Sequence, residues 1–150
     1  MGEKEKAIEL VRQLITDWGL KEEDCVNKEN KELWHFTQGS VSFHIEFFKF
    51  NRSDTDIIDG LEVGSALMPI PEDKTKRDAL YEHVLNMNST SCGVWFAKRN
   101  NLLILLTSRE ITGLDFNELK TMADDVRFYA DYYDDIFKKE YGDNYRSPGR

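Results

Sequence analysis

An α+β fold, with an antiparallel sheet flanked by helices in the order α-β-β-β-α-β-β-α, is what the 150-residue sequence predicts, and three stretches predict it. Val94–Ala97 and Leu102–Thr107 are apolar and β-prone, and between them Lys98-Arg99-Asn100-Asn101 is wholly polar, with two asparagines that tolerate the positive φ of a tight turn. Beyond Asp115, apolar residues recur every three or four positions in the manner of a long amphipathic helix. Val41, Phe43, Ile45 and Phe47 alternate with Ser42, His44, Glu46 and Phe48, the period of a strand with one packed face and one mostly wet face.

The chain opens with a helix over 3–18, where Ala7, Ile8, Val11, Leu14, Ile15 and Trp18 keep helical spacing and Gly19 supplies the C-cap. Leu33–Gln38 and Val41–Lys49 form a hairpin about Gly39-Ser40. Asn51-Arg52-Ser53-Asp54-Thr55-Asp56 is expected as a polar loop, followed by a third strand marked by Leu61, Val63, Ser65 and Leu67 that stops at Pro69 and Pro71. A second helix runs over 75–88. In Leu102-Leu103-Ile104-Leu105-Leu106 both faces of the pleat are apolar, which predicts a strand in the middle of the sheet with cover on each side, and Ile104 and Leu106 in the core. The last helix starts at an N-cap, Asp115, with Glu118 as its capping-box partner. Its core stripe is Leu119, Met122, Ala123, Val126, Ala130, Tyr133 and Phe137, and Arg127/Asp131 and Asp134/Lys138 are available as surface pairs. Hairpin connections make the sheet antiparallel. Residues 1–142 are expected as one domain, with 143–150 as a frayed tail.

A net charge of −8 argues against nucleic acid, because a phosphate-binding surface needs clustered Lys and Arg, and Lys74, Lys76 and Arg77 form only a short basic patch amid acids. No apolar run approaches the length of a membrane span. The charged start, Met1-Gly2-Glu3-Lys4-Glu5-Lys6, leads straight into an amphipathic pattern, so no export segment is visible and a cytoplasmic location is expected. Cys25 and Cys92 are too few to staple the domain and are expected as free thiols.

No catalytic motif and no cofactor or metal site emerges. His44-Ile45-Glu46 has the His-x-Glu spacing of zinc deaminases but lacks the Pro-Cys-x-x-Cys that completes it, so it is taken as strand alternation. His35, His44 and His83 show no ligand spacing with the cysteines. Asp54, Asp56 and Asp59 lack the rest of a calcium loop, Gly60 and Gly64 do not form a phosphate loop, and no nucleophile turn is present.

Leu80-Tyr81-Glu82-His83-Val84-Leu85-Asn86-Met87-Asn88, Gly93-Val94-Trp95-Phe96-Ala97, Leu102–Thr107, Asp115–Glu118 and the Ala130-Asp131 helix before Tyr141-Gly142 together resemble the YbjN family and its relatives, the type III secretion chaperone-like proteins. The resemblance covers about 61–142. It implies an antiparallel sheet with flanking helices, no cofactor, no catalytic residues, and a bacterial cytoplasmic module that binds a protein partner or client, commonly as a homodimer. An alternative from another class is a small-ligand-binding regulatory domain that uses a groove between sheet and helix.

Four residues are candidates for partner contact. On the second helix Leu80, Val84 and Met87 form the core stripe, while Tyr81 and Leu85 are too far around the wheel to share it and could meet the same helix of a second copy. On the last helix Phe128 lies almost opposite Leu119, with Tyr132 one turn on.

Overall fold

The expected order of elements is present, with one addition. The computed structural model describes residues 2–143. They form α1 (Glu3–Asp17), a single turn α2 (Glu22–Cys25), β1 (Leu33–Gln38), β2 (Val41–Ser53), β3 (Asp56–Pro69), α3 (Lys74–Asn88), β4 (Trp95–Arg99), β5 (Leu102–Glu110) and α4 (Phe116–Tyr141). One turn is too short to show a period, which is why α2 left no mark in the apolar pattern. The expected tail lies outside the described residues except for Asp143, whose carboxylate accepts from the backbone N–H of Glu72.

Local chemistry ends the helices where it should. The Asp73 carboxylate caps α3 by accepting from the Lys76 N–H at 2.8 Å. Asp115 and Glu118 form the full capping box of α4, at 2.8 and 3.0 Å. Both turn residues of the β4–β5 hairpin, Asn100 and Asn101, take positive φ. The polar loop expected at 51–56 is instead mostly strand. β2 continues to Ser53 and β3 begins at Asp56, with Phe50 opposite Ile58 and Asn51 opposite Ile57. The hairpin tip is solvated on both faces, so polar side chains there are compatible with pairing, and Arg52–Asp56 and Lys49–Asp59 ion pairs cross it.

The five strands are antiparallel in the order β1-β2-β3-β5-β4. Directly opposite residues share a face, so the register assigns every side chain. Trp34, Phe36, Phe43, Ile45, Phe47, Leu61, Val63, Phe96, Leu103 and Leu105 belong to one face and join Val11, Leu14 and Ile15 of α1, Leu80 and Val84 of α3, and Leu119, Val126, Ala130 and Phe137 of α4 in one contiguous core. The Arg127/Asp131 pair is not formed. Arg127 pairs with Asp124 and lies over the Trp18 ring, tying α4 to the end of α1, whereas Asp134–Lys138 forms at 2.6 Å.

Ile104 and Leu106 point to the other face. They are buried, as expected, yet neither belongs to the core that the helices complete. The cover expected on both sides of β5 is therefore helical on one side only. Trp95 stands opposite Leu106 and Ala97 opposite Ile104. The Arg99 side chain, in reaching from β4 to Glu62 on β3, has to cross β5 over these two residues. Ile104→Ala should destabilise the fold by about 2 kcal/mol, the low end for such truncations, because flexible side chains can settle into the space. Urea melts would measure it, and a loss under about 0.5 kcal/mol, far below that range, would show the face to be unpacked.

Candidate interaction surfaces and the open face of the sheet

Three of the four candidate contact residues are exposed. Leu85 is 67% exposed on α3, and Phe128 and Tyr132 are 64% and 57% exposed on α4. Tyr81 is half-buried and packs against the core, because the second apolar stripe of α3 turns partly toward its own chain. The structure places these residues on two helices rather than in one site. Phe128 leans edge-on against Tyr129 at 5.1 Å and Tyr132 against Tyr133 at 4.9 Å, so half-buried neighbours hold both exposed rings. Ile136, 41% exposed, extends the stripe by one more turn. It went unnoticed in the sequence, where its four-residue spacing from Tyr132 was the available signal.

A pocket of about 350 Å³ opens between the α3–β4 connection and α4. Met87, Val94, Phe96, Leu105, Tyr129 and Tyr133 line it, with Thr90, Ser91 and the exposed Cys92 also in its wall. It is the sheet–helix groove that a small-ligand reading requires. Its apolar lining and size fall within the range of ligand sites.

The open face holds a polar cluster the sequence reasoning missed. Strand alternation puts His44 and Glu46 on this face, and the β2–β3 register sets Glu46 opposite Glu62 and His44 opposite Gly64. Gly64 makes room for the imidazole, since a Cβ there would stand 2.8 Å from His44 Cε1. Gly60 does the same for the Phe48 ring, which a Cβ would meet at 2.6 Å. Glu62 is 5% exposed. Arg99 donates to it from two nitrogens, at 2.8 and 2.9 Å, and His44 Nε2 lies 2.7 Å from its Oε2. Burial is the largest single influence on this carboxyl and pushes its pKa up, but the hydrogen bonds of His44 and Arg99 and their charge together outweigh it and hold the pKa at about 2. An ionised carboxylate only accepts, so His44 Nε2 is the donor. The His-x-Glu alternation was the only trace of this cluster in the sequence.

A folded-state pKa near 2 lies below the ordinary 4.5, so the native state prefers ionised Glu62. Its contribution to stability is complete above about pH 4.5 and is lost as the pH falls toward 2. A displacement of this size corresponds to on the order of 3 kcal/mol. Glu62→Gln should lower stability at pH 7 and flatten the dependence on pH across that window, read from urea midpoints in metal-free buffer. A variant whose profile parallels the parent would place the acid sensitivity elsewhere.

No family model and no curated protein matches the sequence. Among solved structures, the chain is similar to one in the crystal structure of the ExsC–ExsE complex, with a TM-score of 0.60 and 10% identity, over 91% of this chain and 97% of that one. It is also similar to a chain of the heterodimeric ExoU–SpcU complex from the type III secretion system of Pseudomonas aeruginosa, with a TM-score of 0.53 and 16% identity, over 79% and 89%. The Yersinia pestis type III secretion chaperone SycH, solved with a stable fragment of YscM2, gives 0.53 and 16%, over 83% and 96%. The fold is thus the α+β fold of type III secretion chaperones.

Proposed function

We propose that this chain is a non-enzymatic, chaperone-like protein-binding module of the YbjN and type III secretion chaperone-like type, regulatory in effect and working as a homodimer in the cytoplasm. The observation that carries the reading is the fold likeness over nine-tenths of the chain to a protein solved as a complex with another protein. Exposed apolar side chains agree with it. Phe128 and Tyr132 offer two rings on one helical face at the cost of little side-chain entropy, as protein-binding surfaces favour.

Leu85 is the dimer contact in this reading, with Tyr81 at its margin. A leucine left 67% exposed in the middle of a helix gains by meeting its own copy across a two-fold axis, where each patch buries the other. Light scattering at micromolar concentration should give twice the single-chain mass of 17.5 kDa. Leu85→Glu should restore the single mass with the melting temperature unchanged, and a parent protein already at 17.5 kDa would contradict the dimer. Phe128→Asp should abolish capture of the protein partner from native extract, again without a change in melting temperature. A large drop in melting temperature would assign Phe128 to the core instead.

A second reading rests on the pocket beside Tyr129 and Tyr133, whose apolar walls suit a small regulatory ligand. Native mass spectrometry of the purified chain separates the two. A stoichiometric small molecule that Tyr133→Ala releases favours the ligand-binding domain.

A further inference from the structure

We propose that the open face of the sheet carries a site for a divalent transition-metal ion, with His44, Glu46 and Glu62 as three clustered ligands and His35 as the fourth. The proposal is independent of partner binding. One ligand atom from each of His44, Glu46 and Glu62 lies within 4.8 Å of the other two. All three stand on β2 and β3, paired in register at the centre of the sheet, so their backbones are fixed before any ion arrives. His35 faces His44 directly across the β1–β2 ladder. Side chains so paired have Cβ atoms about 5 Å apart, and His35 is exposed and free to turn toward its neighbour.

The donor set defines the ion. Two imidazole nitrogens and two carboxylate oxygens suit zinc or nickel, whereas magnesium and calcium take oxygen ligands. A tetrahedral ion about 2.1 Å from each ligand needs ligand atoms about 3.4 Å apart. The 2.7 Å contact between His44 Nε2 and Glu62 Oε2 therefore opens slightly and Glu46 draws in. His44 binds through Nε2 as the tautomer that carries its proton on Nδ1, and the ion takes the place of the Nε2–H as the link to Glu62. Arg99 donates to both Glu62 oxygens, Nη2 to Oε1 at 2.8 Å and Nη1 to Oε2 at 2.9 Å; an ion on Oε2 displaces the second bond and leaves the first as a hydrogen-bonded support of the kind that orients ligating carboxylates. With Arg99 counted, the two glutamates leave one net negative charge to attract the cation.

Calorimetric titration of the full chain with zinc chloride and with nickel chloride at pH 7 tests the site. One equivalent should bind with micromolar affinity or better. His44→Ala and Glu46→Gln should each weaken binding at least about tenfold, the scale on which even supporting residues matter. His35→Ala should weaken it measurably, and Cys92→Ser should leave it unchanged. Saturating zinc should raise the melting temperature of the parent and not of His44→Ala, which keeps the Arg99–Glu62 pair and the fold. Absence of saturable binding, or binding that Cys92→Ser removes and His44→Ala retains, overturns the proposal.

Discussion

A sheet that receives its helices on one face must make the other face stable in contact with water, and in this chain Glu62 organises the solution. Its carboxylate accepts hydrogen bonds from His44 and Arg99, so one buried charge on β3 gathers side chains from β2 and, across β5, from β4. The arrangement shields Ile104 and Leu106 with a polar lid instead of a helix. A buried charge of this kind is tolerated only while its partners hold it, because one left unpaired costs several kcal/mol. The close approach of His44 depends in turn on the missing side chain of Gly64. Polar cluster, glycine and buried strand are thus one interdependent unit.

On the opposite face α4 plays the complementary part. Its capping box secures the start, Arg109 reaches Glu118 to join that first turn to β5, and Arg127 over Trp18 joins its middle to α1. Towards its end Phe96, Tyr133 and Phe137 pack ring against ring, and His83 Nδ1 lies 2.7 Å from the Tyr141 hydroxyl, bringing in α3. A helix held at so many points presents its outer stripe of Phe128, Tyr132 and Ile136 as a rigid surface. Rigid aromatic groups lose little conformational freedom on contact.

Much of this was legible in the residues. The stripe from Leu119 to Phe137, the alternation from Val41 to Phe47, the Asp115 cap and the Asn100-Asn101 turn are local patterns, and local patterns report local structure. The hairpin tip at 51–56 was misjudged because polar composition is equally compatible with a loop and with a strand solvated on both faces. The apolar run at Leu102–Leu106 signalled burial correctly but could not say whether helix or side chains supplied the cover. The polar cluster was least accessible, since His44, Glu62 and Arg99 are separated by 18 and 37 residues and meet only through strand register.

The order β1-β2-β3-β5-β4 has one further consequence. Three of its four neighbour relations are hairpins between consecutive strands, and only the β3–β5 seam joins segments separated by another helix and strand. The loop-closure entropy of assembling the sheet is therefore concentrated in that seam. It brings together an N-terminal half that already contains His44 and Glu62 and a C-terminal half that supplies Arg99, so the ion pair spans the boundary where two locally formed halves become one cooperative unit.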